Sequence, residues 1–374
     1  MDTLIKQFRG SIWLKTLLLL VVWNIGIRAI AAVGYFMLPE RFAPLDFLNS
    51  FWKSNFLWWS LANFDGEHYL SIAKFGYQIR NAFPQYAFFP LFPILIKLVS
   101  FLTRDIYLAG LLVSQASLWV ALTYIYKWCQ TLKQPDLRLP LLLSTGAVFL
   151  ASIYTEPLFL ALAASCMYCA ERKWWWVAAL LAGLATAARV NGVFLAIFLF
   201  VKLITAKEKP VSIVGLGLLS ISGILAYMGY LYSQTGDFLA WFHAQSAWGK
   251  AVATSPLTTL IGYARAVSVD FMPDFTHVVV IIEVLATLTM IFFLIKLLSL
   301  HLLDLSYWLY LTLNIALPLG TGSLGSTPRF FLTVFPLLIV LPRLSSTGKT
   351  LYYTYSVISA VLGIILFTRG HWYG

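Results

Sequence analysis

Charge is scarce in this sequence. Of 374 residues only 11% are Asp, Glu, Lys or Arg, while 60% are hydrophobic and the mean hydropathy is +0.82. Too little polar surface remains to clothe a soluble globule, so the chain reads as all-α, a polytopic membrane helix bundle. At roughly 20 residues per crossing there is room for about eleven transmembrane helices in one integral domain, residues 1–374. Three cysteines, Cys129, Cys166 and Cys169, give no disulfide framework, and the Cys166/Cys169 pair lies in an apolar helix, where small core residues are expected. The five histidines are spread without HxxxH or HExxH spacing, so no metal is expected. No GxSxG elbow suggests a serine hydrolase, and no GxxxxGK[ST] loop suggests direct use of ATP. A net charge of +11 raises nucleic acid as a partner, but the basic residues are scattered as membrane topology would scatter them. No nucleic acid and no cofactor are expected; membrane lipids are.

What is present is a succession of apolar runs with polar interludes. The first run, from about Ile12 to Leu38, follows Lys6 and Arg9 and includes Lys15; it is too long for a signal peptide and lacks a small-residue cleavage site. It reads as a retained helix with a cytoplasmic N-terminus. Arg28 lies inside it, where an unpaired charge costs at least ~2.5 kcal/mol, so it faces the bundle or a wet cavity, or snorkels. Residues 39–105 form a long external loop whose Trp and Phe density suits an interfacial helix. The run 88–102, FFPLFPILIKLVSFL, is short and punctuated by proline. If it lies in the outer interface, the further spans fall at about 106–128, 139–154, 157–170, 174–188, 192–206, 211–232, 276–298, 303–319, 330–342 and 351–368. Lys127, Lys133, Arg138, Arg172, Lys173, Lys202, Lys296 and Arg343 then gather on the cytoplasmic side, as the positive-inside rule asks; a crossing at 88–102 would erase that asymmetry.

The same topology brings FDGEHY (64–69), IYTEP (153–157), ARVNG (188–192), TGDFLAWFHAQSAWGK (235–250) and STPRF (326–330) to the external face. Polar groups at the same ends of many helices suggest one water-accessible site, with the loop 39–105 carrying it and the loop 234–275 over it. A transporter would gather them near the midplane in repeated halves, and no internal repeat is found. Asp65 and His68 share a helical face while Glu67 points elsewhere. Asp65 reads as a base or as a helix N-cap, two roles that are compatible. Glu156, before Pro157, suits a helix start. Arg189 and Arg329 at helix ends read as phosphate-binding forks or interfacial anchors. Asp237, His243 and Gln245 fall in an aromatic segment over the site.

FDGEHYLSIAKFGY with AFFPLFPILI, then YTEPLFLALA, AARVNGV, GDFLAWFHAQSAWG and STPRFFLTVFPLL, in this order, resemble the signatures of the PIG-V (Gpi18-like) mannosyltransferases, of the GT-C class of polytopic glycosyltransferases. Family members typically carry Trp where this chain has Phe64. No N-x-Ser/Thr sequon stands on the external loops, and the compact chain looks more similar to prokaryotic members. The resemblance implies metal-independent, inverting transfer of a sugar, with mannose favoured, from a polyprenyl-phosphate donor to a hydroxyl of a glycan or glycolipid acceptor. It implies Asp65 as catalytic base, with Glu67, His68, Glu156, Arg189, Asn191, Asp237, Gln245, Trp248 and Arg329 as substrate-binding residues. The site would face outward, from the plasma membrane of a prokaryote or into the endoplasmic reticulum lumen of a eukaryote. A transporter or flippase of lipid-linked glycans is the alternative.

Overall fold

The computed structural model describes residues 11–41, 47, 52, 54–80, 83–250, 254–268 and 275–373. Lys6, Arg9 and much of the aromatic stretch expected at the interface, 42–46, 48–51 and Lys53, lie outside the described residues. Among the described residues four helices are long and apolar enough to cross a membrane: Ile12–Met37, Ile106–Thr131, Phe275–Ser299 and Ser346–Thr368. The expected span at 211–232 is two helices, Pro210–Ser220 and Ser222–Thr235, bent by 49°. Glu156–Glu171, Trp175–Ala188, Gly192–Thr205 and Leu305–Gly320 are shorter, about 21 to 24 Å at 1.5 Å per residue. The whole is the polytopic helical bundle that composition called for.

Two further expected crossings are not continuous α-helices. Residues 139–154 form two short pieces, Arg138–Leu142 and Ala147–Ala151. A break at membrane depth frees backbone groups that must find partners inside the protein. Neighbouring helices supply them: Trp23 Nε1 donates to the Leu142 carbonyl at 2.9 Å, Tyr373 OH to Thr145 at 2.8 Å, Gln115 Nε2 to Leu150 at 3.1 Å and Ser114 Oγ to Ser152 at 2.7 Å. Residues 330–342 likewise continue the helix Thr327–Thr333 as a 3-10 helix, Phe335–Arg343. Pro336 and Pro342, which donate no N–H, disfavour an unbroken α-helix there. The steeper 3-10 rise lets the combined segment reach about 28 Å, nearly a bilayer core.

These two irregular segments lie against each other. A Cβ on Gly146, in the break, would run into the Pro328 carbonyl oxygen and the Leu332 side chain. Gly146→Ala should therefore lower the thermal unfolding midpoint in detergent, overpacking costing about 1–3 kcal/mol. An unchanged midpoint would mean the two segments are less tightly joined.

The helices run between two ends. At one end Lys202 bridges Glu171 and Asp304, each at 2.6 Å, and Glu171 accepts from Tyr307 OH at 2.8 Å. Helices leaving that cluster reach Glu156 and the residues around Arg189 and Leu317 at the other. Lys127, Arg138, Lys296 and Arg343 lie at helix termini of the Lys202 end, away from Glu156. The helix within 88–102 is Leu91–Thr103, about 20 Å long at 1.5 Å per residue. Asp105 behind it caps the next helix through Leu108 N at 2.8 Å and accepts from Trp52 Nε1 at 2.7 Å. Arg28 turns toward protein: its guanidinium lies 4.6 Å from the Trp58 ring centroid and donates to Asn24 at 3.1 Å.

Candidate active site

Asp65 is placed by a strained turn. Phe64, immediately before it, has φ 58° and ψ −117°, a left-handed conformation that side-chain-bearing residues avoid. Such strain, of order 1–3 kcal/mol, persists only where surroundings over-determine it. Here the Phe64 ring packs between Phe367 and Trp372, at centroid distances of 5.5 and 5.1 Å. Asn63 Nδ2 donates to the Phe367 carbonyl at 2.8 Å, Tyr154 OH donates to the Asn63 carbonyl at 3.1 Å, and the same hydroxyl accepts the Asp65 N–H at 3.2 Å. Phe64, not Asp65, holds the N-cap position of the helix Asp65–Phe75. The Asp65 carboxylate is thus left for a partner across the site, Arg329 Nη1 at 2.6 Å.

Arg329 is positioned in a parallel way. Ser326, with φ 75°, turns the chain into the helix Thr327–Thr333 that carries it. Arg329 Nε meets Glu156 Oε1 at 2.7 Å, and its guanidinium lies 4.8 Å from the Tyr154 ring. Glu156 Oε1 also pairs with Arg189 Nη1, which donates in addition to Thr155 Oγ1 at 3.1 Å. Four segments distant in sequence thus converge in one chain, Asp65–Arg329–Glu156–Arg189. Glu156 is 0% exposed, behind both guanidiniums, while Asp65 keeps 13% of its side chain open. Burial makes each charge dependent on its neighbours.

Beside this chain opens a cavity of about 290 Å³. Asp65, Arg189, Asn191 and Arg329 line it together with Trp241, Gln245, Trp248 and Trp372. Asn191 is buried and donates to Asn314 Oδ1 at 2.7 Å. Lys250 lines the cavity too, 5.3 Å from the Phe330 ring centroid, with no ion pair among the described residues. Burial first, then the Arg329 and Arg189 charges, push its ammonium down to about 8.

Three expected site residues stand off the cavity wall. His68 shares its helix with Asp65 but stacks on Phe88 at 5.0 Å, meets the edge of Trp248 at 5.0 Å and lies 3.3 Å from Gln85 Nε2; it backs the aromatic wall. Glu67 does not line the cavity. Asp237 bonds the exposed His243 at 2.7 Å and caps its own turn through Leu239 N at 2.8 Å; the His243 hydrogen bond holds its carboxyl below the ordinary value. Lys250, Tyr154 and Trp372 were not singled out by sequence. Lys250 and Tyr154 each lay in a polar cluster already marked, Lys250 as the cation closing the run TGDFLAWFHAQSAWGK and Tyr154 within IYTEP. Among the described residues no three His, Cys, Asp or Glu side chains converge as metal ligands would.

Comparison with known proteins bears on this arrangement. A family model described as Mannosyltransferase (PIG-V) matches residues 4–208, more than half of the chain. The chain belongs to the PIG-V mannosyltransferase family. It is similar to the GPI alpha-1,6-mannosyltransferase 2 of Homo sapiens, 31% identical over 205 residues, covering 50% of this chain and 40% of that protein. The protein of the same description from Cricetulus griseus is 35% identical over 149 residues, covering 35% of this chain and 29% of its own length. The chain thus spans well under two thirds of the curated relatives it matches. Asp65, Glu156, Arg189 and Asn191 fall inside the PIG-V match, whereas Arg329, which joins Asp65 across 264 residues of sequence, lies beyond it.

Proposed function

We propose that this chain transfers mannose from a polyprenyl-phosphate donor to a hydroxyl of a lipid-linked or surface glycan at the external membrane face. The observation that carries the reading is the Asp65–Arg329 pair on the wall of a cavity with a third cation, Lys250. In this reading Asp65 accepts the proton of the acceptor hydroxyl as its oxygen attacks the anomeric carbon. The bond from that carbon to the phosphate oxygen breaks, and the phosphate leaves with the electron pair. Attack from the opposite face inverts the centre, so a β-linked donor gives an α-linked product, the linkage named in the relatives' description. Arg329 and Arg189 receive the phosphate charge, and Glu156 acts through them by fixing both guanidiniums. Trp241, Gln245 and Trp248 cover the site and exclude water that would otherwise hydrolyse the donor.

Purified protein in lipid, given host lipid extract as acceptor and offered polyprenyl-phosphate mannose, glucose, galactose or arabinose in parallel, should transfer mannose. Preference for another sugar would overturn the assignment of mannose alone; transfer from none would overturn the enzyme. Lys250 adds a pH dependence. Charged below pH about 8, it assists binding of an anionic donor; neutral above, it does not. The donor kcat/KM should therefore fall as pH rises through about 8, and Lys250→Arg should flatten that limb. Stability moves the other way. The folded value lies below the ordinary lysine value of 10.5, so between these the unfolded chain binds more protons and folding gains as pH rises. A matching fall in both quantities would exclude Lys250 as the cause.

A further inference from the structure

A second cavity lies at the Lys202 end of the bundle, between Phe275–Ser299 and Ser346–Thr368. It encloses about 800 Å³. Val340, Phe293 and Tyr352 form a buried floor, whereas Leu285, Phe292 and Leu351 at the rim are 41, 46 and 66% exposed. The rim is therefore open sideways, toward where lipid chains would lie. Leu285, Thr289, Phe292 and Lys296 fall on one stripe of the helix Phe275–Ser299 and Leu300 follows just past its end, about 22 Å from first to last. That length exceeds the depth of one leaflet, about half of a ~30 Å core, and leaves room for a headgroup at its end.

The end of the groove away from the active site is cationic. Lys296 and Arg343 both line it, and no acidic residue does. Arg343 bonds neutral acceptors, the Ile339 carbonyl and Gln134 Oε1, the latter at 2.7 Å, and Lys296 has no ion pair among the described residues. The same end holds the start of the 23-residue helix Ser346–Thr368, where Ser345 accepts from Gly348 N at 3.1 Å. The positive end of the helix dipole adds to the two cations. Positive-inside topology accounts for the sign of these residues but not for their place at the mouth of an apolar groove one leaflet deep.

We propose that this groove binds one anionic phospholipid of the leaflet opposite the active site, its phosphate on Lys296 and Arg343 and one acyl chain along Leu285, Phe292 and Leu351. The site is separate from the donor cavity and does not depend on the reaction assigned there. Basic pockets between membrane helices recognise anionic headgroups in this way, each cation contributing about five-fold in affinity.

The test is native mass spectrometry of the full chain from detergent with equal phosphatidylglycerol and phosphatidylcholine of identical chains. One phosphatidylglycerol adduct is expected to dominate. Lys296→Gln, which breaks no ion pair or side-chain hydrogen bond among the described residues, should lower that preference about five-fold. Thr289→Trp, filling the groove, should remove the adduct of both lipids. No preference in the wild type, or a preference that survives both substitutions, would overturn the proposal. Should Arg343→Gln fail to fold for loss of its Gln134 bond, Lys296→Gln and Thr289→Trp still decide.

Discussion

Asp65→Asn should lower mannosyl transfer by about 10² to 10⁴-fold, the usual contribution of a positioned base. Asparagine fills the same space and still accepts a hydrogen bond from Arg329, but it takes no proton from an acceptor hydroxyl. The turn around Phe64 depends on Tyr154, Asn63 and Phe367, not on the carboxylate, so the fold should survive. Expression and unfolding midpoint close to wild type, with donor binding retained and turnover lost, is the expected pattern. Full turnover in Asp65→Asn would reduce Asp65 to a structural partner of Arg329.

Glu156→Ala should produce the largest loss of stability. Its carboxylate is fully buried and holds Arg329 and Arg189 together. Removal leaves two guanidiniums facing each other without the charge between them, and breaking a buried pair costs about 3–5 kcal/mol. The unfolding midpoint in detergent should fall sharply, and Arg329 should lose its orientation toward Asp65. Glu156→Gln keeps an acceptor without the charge and should fall between. A midpoint unmoved in Glu156→Ala would show that the two arginines are held by their other contacts, Asp65, Tyr154 and Thr155.

The sequence displayed the bundle because long apolar runs have few alternatives to helices in a membrane. It did not display the break around Gly146 or the 3-10 stretch Phe335–Arg343, since both depend on partners such as Trp23, Gln115 and Tyr373 supplied by distant helices. The polar clusters at one set of helix ends pointed to a shared site, but not to who meets whom. Asp65 and His68 share the helix Asp65–Phe75, but the ion-pair partner of Asp65 is Arg329, because a three-residue spacing sets a face and not a contact. Glu67 and Asp237 stand off the cavity for the same reason: closeness in a motif is not closeness in space. Lys250 closes a marked run, but its lowered ammonium follows from burial and from the Arg329 and Arg189 charges, which no local pattern reveals.

The most direct measurement follows polyprenyl phosphate and mannosylated product together, with purified chain in liposomes given polyprenyl-phosphate mannose and host lipid extract. The account predicts that wild type forms the two in equal amounts and that Asp65→Asn forms both at least about a hundred-fold more slowly. Lipid-linked sugar carried across the bilayer with its phosphate bond intact, and no polyprenyl phosphate released, would contradict it and make the chain a transporter.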